Sequence, residues 1–569
     1  MPTPLHKIRI AGLLMVIGLT YSCSSDSTEP LVGEVAYHGM VSTAHPDATA
    51  IGVDILKKGG NAFDAAVAVQ FALAVAYPSA GNIGGGGFLV YRKSDGETGS
   101  LDFREKAPMA AHQDMYLDDQ GAVIEDLSTQ GHLAVGVPGS VDGMLNIHQK
   151  LCSMPFEQLI QPAIELAING VVLTEKEAEK LNQQQQGFYE ANNFIPHLIS
   201  DNGWSGGDTV YHAELAETLI RIRDNGRAGF YQGITAQFIV DEMNGGNGII
   251  TLEDLAAYES IWRAPVEGYY KSYKIIGMPP PSSGGIALLQ LMKGIEAYPI
   301  NNWGFNTSRT IHIMTELERR VYADRATYLG DPDFYDVPVE DLTSNQYLME
   351  RFSDIDPNKK TSSQSIRSGA VGIVESLETT HFSIIDVDGN AAAITTTLNG
   401  SFGSKVMVAG AGFLLNNEMD DFSAKPGVPN MFGLIGGTAN AIEPQKRMLS
   451  SMTPTIMEKD HELFMVVGTP GGSTIITSVF QTILNVVEHG MTMQEAVNAK
   501  KFHHQWLPDE IEYEPGAFEN VTTSELEDMG HVLVPRSSIG RMDAILVLEN
   551  GMLEGAADNT RGDNTAMGY

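Results

Sequence analysis

Cysteine is nearly absent: Cys23 and Cys152 are the only two in 569 residues. If Cys23 is acylated or removed, a disulfide framework is excluded, and so is a cysteine-type metal centre. Basic residues are also scarce, 36 Lys and Arg against 71 Asp and Glu, for a formal charge of −35. So acidic a chain repels nucleic acid and anionic membrane surfaces at long range, which argues against nucleic-acid partners. An anionic substrate would need local positive charge or backbone N–H groups to overcome that field. No apolar run reaches the length of a membrane span, and no solenoid period or low-complexity linker divides the chain. The glycine run Gly84 to Gly87 lacks the Lys and Ser/Thr of a phosphate loop, and no Gly-x-Ser-x-Gly elbow occurs. His503 and His504 have no further ligands at metal spacing and read as structural; no metal or organic cofactor is expected. At 43% hydrophobic and 19% charged, the chain can bury a large core as one unit or two interleaved halves.

The N-terminus carries a leader pattern. His6, Lys7 and Arg9 precede the short apolar run Ala11 to Leu19, then Ser22-Cys23-Ser24-Ser25. A basic region, a short hydrophobic region and a cysteine before a Ser-rich stretch resemble a bacterial lipoprotein signal. Residues 1–22 are expected to be the signal peptide, with Cys23 the first mature, lipidated residue. An ordinary signal peptide that contains a cysteine is the alternative. One acyl-bearing cysteine anchors a protein without a transmembrane helix. The expected location is therefore outside the cytoplasm, in the periplasm, with membrane contact only through the lipid.

Along the rest of the chain, helices are predicted over 46–56, with Pro46 in the first turn, and over 62–77, with Asn61 as cap. A strand is predicted at Phe88 to Tyr91. The stretch from about 155 to 350 is mostly helical in pattern, with a rigid loop Pro279 to Gly285 opening a helix over 286–297. The polar, aperiodic segment 357–369 reads as exposed and mobile. From His381 the pattern turns to strand: 381–386 and 391–398 flank Asp388-Gly389-Asn390, a hairpin signal. Further short strands are predicted at 463–467 and 544–548, and a helix at 473–488. Mixed strands and helices with antiparallel hairpins point to a layered α+β fold.

The string Glu378-Thr379-Thr380-His381 stands at the mouth of the first hairpin strand. A threonine hydroxyl is a poor nucleophile at neutral pH and needs a nearby base. Cutting the chain before the threonine supplies one, because a free α-amine has a pKa of about 8. The same hydroxyl can attack the preceding carbonyl to make the cut. Alone, the triplet reads as β-branched residues opening a strand.

Its context is more specific. Leu101-Asp102-Phe103-Arg104-Glu105-Lys106 lies upstream. Thr397 and Asn399, Asn416-Asn417-Glu418-Met419-Asp420-Asp421-Phe422, Ser450-Ser451-Met452-Thr453 and Gly468-Thr469-Pro470-Gly471-Gly472-Ser473 lie downstream. In order and separation these strings resemble the γ-glutamyltranspeptidase family, from about Val35 to Tyr569. The resemblance implies a four-layer αββα sandwich of the N-terminal-nucleophile hydrolase type, an α+β fold formed by two subunits cut from one chain. Cleavage between Glu378 and Thr379 would separate a large subunit, 24–378, from a small catalytic one, 379–569, and the two would form a heterodimer.

By the same resemblance Thr379 is the nucleophile, Thr397 orients it, and Gly471 and Gly472 offer N–H groups to the oxyanion. Arg104, Ser450 and Ser451 match the positions that hold the substrate's α-carboxylate. Asn399, Glu418 and Asp421 match those that hold its α-ammonium. These residue types suit such roles, since guanidinium grips a carboxylate in fork geometry and carboxylates accept from a cation. On their own, Arg104 would read as a surface partner of Glu105 or Asp102, and Asp420-Asp421 as a solvated pair. The loop from Pro426 to Asn440 resembles the family's lid, with Phe432 at its gating aromatic. The implied substrates are glutathione and related γ-glutamyl compounds, with water, amino acids or dipeptides as acceptors. A related acylase acting on glutaryl groups, and an inactive envelope binding protein, are the alternatives.

Overall fold

The structure, a computed structural model, describes Met1 and residues 30–366 and 379–569, apart from 426, 429, 432, 433 and 435. The signal peptide, Cys23, Glu378 and Phe432 lie outside the described residues. In chain order the strands that matter are β1 (Glu34–Ala36), β2 (Met40–Thr43), β3 (Gly86–Arg92), β4 (Thr98–Asp102), β5 (Ile261–Arg263), β6 (Val266–Tyr270) and β7 (Tyr273–Gly277). There follow β8 (Thr380–Ile385), β9 (Ala391–Thr397), β10 (Thr455–Lys459), β11 (Glu462–Gly468), β12 (Asp543–Val547), β13 (Leu553–Ala557) and β14 (Thr565–Gly568). They form two seven-stranded sheets, ordered β14-β2-β8-β9-β3-β4-β5 and β1-β13-β12-β11-β10-β7-β6. Every neighbouring pair is antiparallel.

Alternate residues of each strand enter different cores, as a period of two requires. Phe88, Val90 and Ala393 of one sheet meet Ile276, Ile456, Val466 and Ile545 of the other in the layer between them. Their neighbours Leu89, Phe382, Ile384 and Ile394 face α1 (Pro46–Lys57), α2 (Ala62–Ala76) and α3 (Phe156–Asn169). Ile275, Met457, Met465 and Val467 face α4 (Gly284–Ile295), α5 (Ser308–Tyr328) and α6 (Thr474–Val487). The result is the αββα sandwich. Both faces of the inner strands are covered, which is why they read as continuous apolar runs rather than polar–apolar alternation.

Local chemistry sets the elements next to the site. Asn61 accepts from the N–H groups of Phe63 and Asp64, and Asp64 accepts from Asn61 N–H, a reciprocal cap on α2. Every residue of α2 is buried, and its alanines let it lie close to the sheet. The β8–β9 turn is held by Asp386, whose carboxylate accepts from Asp388 N–H (3.0 Å) and Asn390 N–H (2.9 Å), with Gly389 at φ 85°. The same carboxylate accepts from Ala62 N–H at 2.8 Å, tying the hairpin to the start of α2.

Two expectations are refined by the structure. The middle of the chain is not only helix and loop, since β5, β6 and β7 complete both sheets. Their half-polar sequence gives little apolar signal because they sit at or near the sheet edges. The polar segment from 357 is not loose over its described part, to Ile366. Ser363 is fully buried: its N–H donates to Asp509 (3.1 Å) and its carbonyl accepts from Trp506 Nε1 (3.0 Å). Thr361 N–H donates to Glu316 at 3.1 Å. Ser363 and Thr361 accept from the buried Arg319 and Arg320 of α5, while Pro357, Asn358, Lys359, Ser362, Gln364 and Ser365 are exposed, as their polarity predicts. Residues 367–369 lie outside the described part.

Candidate active site

The hairpin register builds the nucleophile end. Thr380 pairs with Thr396, so the preceding Thr379 stands opposite Thr397. Their hydroxyl oxygens are 3.4 Å apart, and both residues are buried. Asn399, in the left-handed region at φ 73°, turns the chain back and donates its N–H to Thr397 Oγ1 at 2.7 Å. His381 is one residue further along β8 than Thr380 and faces the inter-sheet layer. Its ring bonds Thr395 Oγ1 (2.9 Å) and Ser383 Oγ (3.0 Å), and burial lowers its pKa to about 3. Both ring nitrogens are thus engaged by hydroxyls, and His381 is not among the residues that line the pocket with Thr379.

The charged end is assembled from three loops. Arg104 follows β4 and is 1% exposed. Its Nη1 lies 2.6 Å from Glu418 Oε2 and 3.7 Å from Glu105 Oε2, and its Nη2 donates to Asp421 Oδ2. Glu418 and Asp421 lie in one 3₁₀ turn set by Asn416, which accepts from Glu418 N–H at 3.0 Å. Burial raises the pKa of both acids, with Arg104 opposing. Burial likewise pushes Glu105 up to about 8. Asn399 spends its amide N–H on Asn417 O at 3.0 Å, which leaves its carbonyl oxygen as an acceptor. Asp420 is engaged elsewhere. It accepts from Ser128 Oγ (2.6 Å) and Met431 N–H (2.8 Å), anchoring the loop that follows.

Gly471 and Gly472 link β11 to α6 with φ 140° and 56°, both unsuited to a side chain. A Cβ on Gly471 would meet Thr474 Oγ1 at 2.5 Å. Neither glycine N–H donates to a backbone carbonyl among the described residues. They stand at the N-terminal end of α6, where helix N–H groups favour negative charge. Opposite, Ser450 N–H donates to Pro281 O (2.9 Å) and Ser283 N–H to Ser450 O (2.8 Å), docking the serine pair on the loop before α4. One pocket is lined by Thr379, Thr397, Asn399, Arg104, Glu418, Asp421, Ser450, Ser451 and Gly472.

Residues 48–569 match the model of a family described as Gamma-glutamyltranspeptidase. The chain is 44% identical over its full length, and the full length of the relative, to a glutathione hydrolase proenzyme of Escherichia coli (strain K12). It belongs to the γ-glutamyltranspeptidase family. The crystal structure of Helicobacter pylori gamma-glutamyltranspeptidase is 45% identical with a TM-score of 0.56, covering 57% of this chain and 94% of that one. A cephalosporin acylase from Bacillus halodurans, 24% identical, superposes with a TM-score of 0.83 over 98% of this chain and 99% of that one, a likeness of fold. As a γ-glutamyltranspeptidase, the chain is an enzyme of γ-glutamyl transfer and hydrolysis.

Most residues that motif reading assigned to this γ-glutamyltranspeptidase site do meet. Gly471 adjoins the pocket through Gly472. Glu378 and Phe432 are outside the described residues, but Leu434 from the same loop lines the pocket. Motif reading missed Arg325, which also lines it from α5. Nothing local distinguishes Arg325 from Arg319 and Arg320 on the same helix, all three buried. It also missed a cluster of metal-ligating types, His312, Glu316 and His531, whose ligand atoms lie within 4.8 Å of one another. That cluster is spoken for: the two rings bond each other at 2.8 Å, and Glu316 pairs with Arg319 (3.2 Å) and Arg320 (2.8 Å). His503 is held by Thr477 Oγ1 (2.8 Å) and Gln505 (2.9 Å), in line with a structural role.

Proposed function

We propose that this γ-glutamyltranspeptidase works through Thr379, freed as an N-terminal residue by cleavage after Glu378. The observation that carries the reading is the placement of Thr379 Oγ1. It lies 3.4 Å from Thr397 Oγ1, in one pocket with Gly472 and with opposite-charge recognition groups. The precursor folds as one chain, and Thr379 attacks the carbonyl before it. The ester formed then hydrolyses, leaving subunits 24–378 and 379–569 as a heterodimer. The new α-amine, with a pKa of about 8, takes the hydroxyl proton in each later turnover.

Thr379 Oγ1 attacks the γ-carbonyl of glutathione or a related γ-glutamyl amide. The oxyanion of the tetrahedral intermediate accepts from the Gly471 and Gly472 N–H groups beside the α6 N-terminus. The amine leaves with a proton, and a γ-glutamyl ester of Thr379 remains. Water resolves it in hydrolysis; an amino acid or dipeptide amine resolves it in transfer. Arg104, Ser450 and Ser451 hold the α-carboxylate, and Asn399, Glu418 and Asp421 the α-ammonium. The acidic pair favours this reading over a glutaryl acylase on the same fold, because a glutaryl group offers those acids no cation. The leader at 1–22 exports the chain, and acylation of Cys23 tethers it in the periplasm.

N-terminal sequencing of the purified protein tests these points together. Two sequences are expected, one beginning at Thr379 and one blocked at or beginning near Cys23. An active preparation with residues 378 and 379 still joined overturns the mechanism. Faster release of a glutaryl than of a γ-glutamyl anilide favours the acylase. A single uncut chain without anilide release marks an inactive binding protein.

A further inference from the structure

Two arginines line the pocket, and their surroundings differ in charge. Arg104 touches three carboxylates, and its Nη groups are both engaged by acids. Arg325 is 5% exposed, yet no carboxylate lies within ion-pair distance of it among the described residues. Its Nε donates to Ser283 Oγ at 2.9 Å and its Nη2 to Ser451 Oγ at 3.1 Å. Ser283 Oγ in turn donates to Ser450 O at 2.7 Å. Asp421 is near, but it is bonded to Arg104 and to Asn430 (3.1 Å). A buried cation without an anion is costly and usually carries a partner.

We propose that Arg325 supplies the free counter-charge for the α-carboxylate of the γ-glutamyl substrate, at and through Ser451. Ser451 Oγ accepts from the guanidinium, so its own proton is available to the carboxylate, and the charged donor strengthens that bond. Arg104 can reach the carboxylate only as Glu418 and Asp421 turn to the ammonium. Arg325 needs no such exchange. Without it, the pocket's acids would outweigh its one remaining arginine and repel an incoming carboxylate. The inference rests on the γ-glutamyl reading above and names a residue that the motifs did not mark.

Three p-nitroanilides separate the contributions: γ-glutamyl, 4-aminobutyryl (no α-carboxylate) and glutaryl (no α-ammonium). Arg325→Gln should raise KM for the γ-glutamyl anilide by about tenfold or more, with a smaller change in kcat. Its kcat/KM for the 4-aminobutyryl anilide should stay within about twofold of wild type, and Arg325→Lys should recover part of the loss. Cleavage into two subunits serves as the folding check. If the glutamine variant is not cut, the lysine variant decides, by losing γ-glutamyl but not 4-aminobutyryl turnover. Equal losses on both substrates, or an unchanged γ-glutamyl KM, overturn the proposal. Failure of the wild type itself to turn over the γ-glutamyl anilide instead overturns the reading on which it rests.

Discussion

The two ends of the pocket are built in opposite ways. At the nucleophile end, backbone register does the positioning: Thr379 faces Thr397 because the β8–β9 ladder leaves no other alignment for a hairpin buried on both sides. Its side-chain partners are neutral hydroxyls, and the neighbouring histidine is held uncharged. At the recognition end, loops and helix α5, far apart in the chain, bring two arginines and three carboxylates together with little solvent. Geometry there depends on which groups carry charge. The first end should therefore respond to loss of atoms, and the second to charge and pH.

Substitutions can break that contrast. The largest effect belongs to Thr379→Ala, which removes the attacking atom for both cleavage and turnover. A denaturing gel should show one uncut chain, and anilide release should vanish; two subunits from this variant would remove Thr379 from both roles. Next comes Gly471→Ala, which places a Cβ 2.5 Å from Thr474 Oγ1 at a φ that alanine avoids. Displaced N–H groups should lower kcat by about 10²–10³-fold. A normal kcat in that variant would move the oxyanion site elsewhere. Thr397→Val keeps the shape but deletes the hydroxyl that meets Thr379 and accepts from Asn399 N–H. A fall in kcat of about tenfold is expected, with KM little changed.

The smallest effect tests the charged end through stability. Glu105 has both carboxylate oxygens buried without hydrogen-bond partners. The groups facing it are Arg104, Asp421, Asp102 and Glu418, with Tyr258 nearby. Unfolded, it loses its proton near pH 4.5; folded, burial holds the proton to about 8. Below the lower value both states are protonated. As pH rises between the two values, the unfolded state releases a proton that the folded state keeps, so stability falls. Glu105→Gln removes that dependence. Its melting temperature should match wild type near pH 4 and exceed it by roughly 2–4 °C at pH 8. A variant that melts lower at pH 8 would show the charged carboxylate to be stabilising.

The legible parts of the sequence were those whose causes are local. Asn61 capping α2, Pro46 opening α1, the Asp388-Gly389-Asn390 turn and the strands beside it could be read because each depends on a few adjacent residues. The bounds at α4 slipped by two residues, from 286 to 284, since its first turn is glycine and carries no apolar period. Within 357–366, Ser363 could not be told from its exposed neighbours, because a polar side chain that satisfies a buried charge looks the same in sequence as one that meets water. Arg325 was silent for a related reason: one arginine among three on a buried helix shows no sign of which faces a pocket.

The order of residues alone settled the antiparallel hairpin, because a tight turn between two short apolar runs pairs them with each other; its register, and hence the meeting of Thr379 with Thr397, is set by the ladder. That order also carried the motif strings that mark the family. Only the packed structure decided that Arg104 is surrounded by acids while Arg325 is not, and that β5 to β7 complete the sheets. Those facts depend on which distant segments share a low-dielectric space, and burial sets both the value of a charge and its need for a partner.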